Sequence, residues 1–144
     1  MKRNLIGTLS LVVLSVLISS TGAFAQSYAK ADVPFAFTVG SAQLPAGTYE
    51  IKTVGAGNSS IVIQNRESNA AAMSNAGREQ PRSTSAKLVF HRVGNSYFLA
   101  EVWRSSTAEG MIIPASRQEK DLAKELQLAK GPSGGYEEVV IALN

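Results

Sequence analysis

The only histidine, His91, and the carboxylate Glu101 stand on two neighbouring β-rich runs, and a histidine beside a carboxylate could do acid–base work near neutral pH. The runs span Lys87 to Arg104 and are joined by Gly94-Asn95, a two-residue hairpin connection. With Val93 facing Ser96, the register sets Arg92 opposite Tyr97, His91 opposite Phe98, Phe90 opposite Leu99 and Leu88 opposite Glu101. One face then carries Val89, Val93, Phe98, Ala100 and Val102, and the other Leu88, Phe90, Tyr97, Leu99 and Trp103. His91 and Glu101 fall on opposite faces, so the spacing predicts no direct contact and no catalytic residue.

Glu101 between Leu99 and Trp103 needs a partner if it is ionised on an apolar face, and Arg66, Arg92 or Lys87 could supply one. Trp103, with Tyr97 and Tyr49, could form an aromatic platform for a sugar or another flat apolar ligand. The candidate ligand-binding set is therefore Tyr49, Arg92, Tyr97, Glu101 and Trp103, set against the plainer expectation of core packing and a structural ion pair at the rim. None of Ser83, Ser85, Ser105 or Ser106 lies in a Gly-x-Ser-x-Gly elbow. Gly55-Ala56-Gly57 precedes a strand and not a helix, so it is no phosphate cradle. With one histidine and no cysteine, a multi-histidine or thiolate metal site cannot be built in one chain, and no cofactor is expected.

The amino end reads as an export signal. Lys2 and Arg3 precede the uncharged run Leu5 to Ile18, which is shorter than the ~20 apolar residues of a spanning helix. Ala23-Phe24-Ala25 then puts small residues where a signal peptidase requires them, predicting cleavage before Gln26. Residues 1–25 are thus expected to be a cleaved leader, 26–30 a short segment, and 31–144 one domain without a membrane span, periplasmic or extracellular. The net charge of +3 includes Lys2 and Arg3, so the remainder is almost neutral. Arg66, Arg78, Arg82 and Arg92 are dispersed, and nucleic acid is not an expected partner.

The elements that must hold these residues are mostly strands. Alternation from Ala31 to Val39 predicts one strand starting or lying at an edge near Pro34. Leu44-Pro45-Ala46-Gly47 predicts a tight turn, and Tyr49 to Val54 a second strand. The continuous run Ile61-Val62-Ile63 predicts a strand covered on both faces. Ala70 to Met73 reads as a short strand, and Asn75 to Ser85 as a mobile loop. Ser116 and Glu119 have capping-box spacing ahead of a helix near 116–130, with Leu122, Leu126 and Ala129 on its apolar stripe and Gly131-Pro132 as its stop. Val139 to Leu143 predicts a final buried strand. The fold expected is mainly β, a small antiparallel barrel or sandwich of about seven strands with this one helix packed against it.

Val33-Pro34-Phe35-Ala36-Phe37, Leu44-Pro45-Ala46-Gly47-Thr48-Tyr49, Lys87 to Arg92 with Tyr97-Phe98-Leu99, and Ser116-Arg117 before Leu122-Ala123-Lys124 form a set. As a set, it resembles a group of small exported bacterial β-proteins, over most of residues 31–130. The resemblance implies an extracytoplasmic β domain and carries no activity and no site residues. The functional expectation is a non-enzymatic module that binds or supports another envelope component. The alternative is a small carrier whose interior, lined from Phe35, Phe37, Ile51, Ile63 and Phe90, holds an apolar ligand; a hydrolase has the least support.

Overall fold

Pro34 divides what the alternating pattern presents as one strand. In the computed structural model, which describes residues 29–79, 85–104, 110–131 and 135–144, the stretch forms β1 (Ala29–Val33) and β2 (Phe37–Val39). Proline cannot donate to a ladder, and the chain uses the break to pass from one sheet to the other. The expected leader, residues 1–25, lies outside the described residues.

Two sheets result. In the first, β1, β4 (Gly47–Val54), β5 (Ser60–Gln64) and β6 (Ala71–Asn75) pair antiparallel in that order. In the second, β11 (Glu137–Ala142), β8 (Lys87–Val93), β9 (Ser96–Trp103), β10 (Gly110–Ile112) and β7 (Gly77–Glu79) run side by side. β2 joins β9 through a parallel bridge from Thr38 to Phe98 and brings its partner β3 (Ala42–Leu44). Among the described residues, one α-helix, α1 (Arg117–Lys130), and eleven strands make a mainly β, sandwich-like body that is not a closed barrel. At one corner the sheets are tied by two backbone hydrogen bonds, Lys30 N–H to Asn144 O and Asn144 N–H to Lys30 O.

Eleven strands stand where about seven were expected, and the excess is β2, β3, β7 and β10, each three residues long. Segments this short show no period of their own and exist because a neighbour supplies the ladder. That corrects the loop expected from Asn75 to Ser85: Gly77–Glu79 pairs with Gly110–Ile112. Residues 80–84 of that expected loop lie outside the described residues.

The space between the sheets is filled by interlocking rings. Phe90 meets Phe35 and Phe37 edge-on at centroid distances of 5.2 and 5.3 Å, and Phe37 meets Tyr49 at 5.1 Å. Such pairs add about 0.5–1.5 kcal/mol each beyond the area they bury. Ile51, Ile61, Ile63, Leu88, Leu99 and Val102 complete this core. Tyr49 is fully buried, and its hydroxyl donates to Pro45 O at 2.6 Å, closing the expected turn at Leu44-Pro45-Ala46-Gly47 from inside. Gly47 has φ +156°, and a Cβ there would stand 2.4 Å from Asn65 Nδ2. Asn65 is held in turn, its Oδ1 accepting from the N–H groups of Glu67 and Ser68.

Two expectations about coverage are corrected. On β5, Ile61 and Ile63 are buried but Val62 is only half-buried, opposite the exposed Met73. An unbroken apolar run therefore did not need two covered faces. The final strand, β11, is an edge strand and not a buried one: Val139, Ile141 and Leu143 pack on the core while Val140 is 53% exposed.

Ser116 caps α1 as its spacing predicts, its Oγ accepting from Glu119 N–H at 3.1 Å. Gly131 ends the helix with φ 75° and its N–H on Gln127 O. The buried stripe is Glu119, Leu122, Ala123 and Leu126, which seats on Val93 and Phe98. Ala129, expected on that stripe, is exposed.

Candidate functional site

The hairpin β8–β9 follows the expected register from Val93–Ser96 to Phe90–Leu99, and then departs from it. Val89 pairs with Glu101 and Leu88 with Val102, so Ala100 is one extra residue, a β-bulge. Its carbonyl accepts from Ile113 N–H at 2.8 Å, beside β10. Past a bulge the two faces exchange places along the bulged strand. Val102, expected with Val89, lies in the core; Glu101 and Trp103, expected with Leu88 and Phe90, join Val89 and His91 on the outer face. The expected separation of His91 and Glu101 onto opposite faces is corrected accordingly.

His91 nonetheless finds a different carboxylate. Its Nδ1 donates to Glu119 Oε1 at 2.9 Å, across the packing of α1 on β8. Glu119 is 3% exposed, so the bond from His91 gives a carboxylate oxygen its partner where water scarcely reaches. The carboxylate that a capping box would turn back onto Ser116 N–H is turned to the sheet. Over the ring lies Tyr136, with centroids 4.7 Å apart and planes tilted by 42°. Partial burial, then the negative charge of Glu119, hold the Tyr136 phenol above its ordinary pKa of 10.0. Glu138 lies directly opposite His91 on β11. With Nδ1 occupied, Nε2 is the ring atom left for proton exchange or a hydrogen bond. Among the described residues no group of three or more His, Asp and Glu side chains is placed to hold a metal.

The five residues proposed for ligand binding are not brought into one place. Tyr49 is in the core and Trp103 is buried, so neither offers a ring face as a platform. Trp103 lies against Gly110, where a Cβ would come within 2.4 Å of the ring, and its Nε1 donates to Glu101 Oε2 at 2.7 Å. That indole is the partner Glu101 needed; Arg66 instead pairs with Glu50 and Arg92 with Glu137. Arg92 and Tyr97 do meet. Phe35 stacks on Tyr97 at 3.9 Å, with the Arg92 guanidinium 5.8 Å from the Tyr97 centroid and Glu137 3.3 Å from Arg92. This half-buried stack stands at the rim of the sandwich.

The residues sequence reasoning missed are Glu119 and Tyr136. A signal for Glu119 existed: it shares a helix stripe with Leu122, Ala123 and Leu126, and a carboxylate in an apolar stripe requires a buried partner. Tyr136, after the Gly-rich link, offered none. Comparison with protein-family models, curated proteins and solved structures finds no match for this chain.

Proposed function

We propose that the protein is a non-enzymatic, extracytoplasmic module that binds or supports another component of the cell envelope. The observation that carries this reading is the mutual packing of the interior rings. Phe35, Phe37 and Phe90, three of the side chains that a carrier would spread around a ligand, fill the centre by touching one another. Ile51 and Ile63 are buried in the same cluster. A filled interior leaves the outside of the sheets and the connecting segments to do the binding. The leader pattern at residues 1–25 supports export, and among the described residues no helix is long and apolar enough to cross a membrane.

Native mass spectrometry of protein recovered from the periplasm and medium of its own host tests this. A co-purifying second protein is the expected result. A bound mass of lipid size would overturn the reading in favour of a carrier.

A further inference from the structure

Among the described residues, β11 has a strand partner on one side only. Leu143 N–H bonds to Ala86 O toward β8, whereas Asn144 N–H bonds to Lys30 O on the other side. Backbone alternation then turns the N–H and C=O groups of Val139 and Ile141 toward β8, and those of Glu138 and Val140 away from it. The Lys30–Asn144 bridge marks the end of the open edge. Edges are commonly blunted with proline, lysine or a bulge; Glu137–Ala142 has neither residue and pairs with β8 without interruption.

The side chains around Glu138 are mainly acidic, and the nearest basic one on the same face of β8, Lys87, lies opposite Ala142 at the other end of β11. Glu138, exposed and without an ion pair among the described residues, lies opposite His91, the residue that bonds Glu119 and meets the ring of Tyr136. Arg92 alternates to the other face and is occupied by Glu137. Lys120 and Lys124 are exposed, more than a quarter-turn around α1 from the middle of its buried stripe.

We propose that the open edge of β11 accepts an extended peptide segment as an added antiparallel strand, with an arginine or lysine of that segment lying against Glu138 and the Tyr136 ring. Main-chain hydrogen bonds supply affinity in this mode, and alternate side chains supply selectivity. Val140 lies two residues beyond Glu138 on the same outer face, so the incoming strand carries an apolar residue two positions before its basic one. A guanidinium over the phenol ring adds a cation–π contact to the ion pair. The inference rests on the reading of the chain as a binding module and names its partner's chemistry.

The test uses protein expressed from the full chain and a fluorescently labelled peptide, Thr-Val-Thr-Arg-Thr, followed by anisotropy. Saturable binding is expected, lost when Arg is replaced by Glu and lost when the amide groups facing β11 are N-methylated. The exposed substitution Glu138→Lys should raise Kd about tenfold, and Tyr136→Ala severalfold. Equal binding of the Arg and Glu peptides, or binding that survives N-methylation, overturns the proposal. So does an edge occupied by a second copy, seen as a doubled mass with no peptide binding. A chain that binds no such peptide but co-purifies with another protein loses this inference and keeps the proposed function.

Discussion

The two faces of the β8–β9 ribbon are held by opposite means. The inner face puts Leu88, Phe90, Leu99 and Val102 among rings and aliphatic groups of the first sheet, with a polar pair, Arg92–Glu137, only at its rim. The outer face carries two acid-containing pairs, His91–Glu119 and Trp103–Glu101, beside the small apolar cluster of Val93, Phe98 and Ala123. The inner face rests on contacts that many side chains share; the outer face rests on a few directed bonds, one across two elements, His91 on β8 to Glu119 on α1, and one within β9, Trp103 to Glu101. Dispersed contacts tolerate small errors of position, whereas a directed bond fails when either end is missing.

The largest test removes a shared centre. Phe90→Ala should cost about 3–5 kcal/mol, a large share of a typical total of about 5–15 kcal/mol, read as an early midpoint in urea denaturation. A loss below about 1 kcal/mol would show that the inner face is not the main anchor.

Next comes the directed bond. Glu119→Ala should destabilise the protein by about 1–3 kcal/mol, because a polar group under α1 loses its partner, while Glu119→Gln keeps a hydrogen-bond acceptor and loses less. His91→Ala combined with Glu119→Ala should cost less than the two single losses added together. Additive losses would mean that the two side chains act separately and would erase the contrast between the faces.

A third test lies where the interior has one directed bond of its own. Tyr49→Phe should cost about 1 kcal/mol below pH 9 by removing the bond to Pro45 O. Burial raises the Tyr49 pKa above 10.0, against a smaller lowering by Asn65. The folded protein therefore keeps that proton to higher pH than the unfolded chain. The associated stability is intact below pH 10 and declines as pH rises through the folded value. Denaturation at pH 8 and pH 11 should show a smaller alkaline loss in Tyr49→Phe than in the unaltered protein. An equal loss would remove Tyr49 as its source.

The smallest effect is expected where neither face is involved. Leu128 is 80% exposed near the end of α1, and Leu128→Ser should leave the melting temperature nearly unchanged, within about 0.5 kcal/mol of stability.

Much of this was legible in the residues. Gly94-Asn95 set the hairpin, and Gly94 alone of the two takes positive φ, at 64°, as a type II′ turn requires. Ser116 and Gly131 bounded the helix, and Pro45 with Gly47 marked the turn into β4. These are local: each residue's own stereochemistry selects the conformation within a few positions. The bulge at Ala100 was not legible, because Ser96 to Trp103 reads equally well as an uninterrupted strand. One extra residue was enough to move Glu101 and Trp103 to the face that carries Val89 and His91.

By itself, then, the sequence determined the mainly β character, the helix with its cap and stop, and the hairpin, since period and turn chemistry act over short spans of chain. Only the tertiary structure decided that Pro34 marks a change of sheet, that Gly77–Glu79 and Gly110–Ile112 pair, that β11 stands at the end of its sheet among the described residues, and that His91 meets Glu119 28 residues away. Those outcomes depend on which distant segments come to lie side by side. That is settled by the burial of the whole apolar set at once, and no short stretch of residues encodes it.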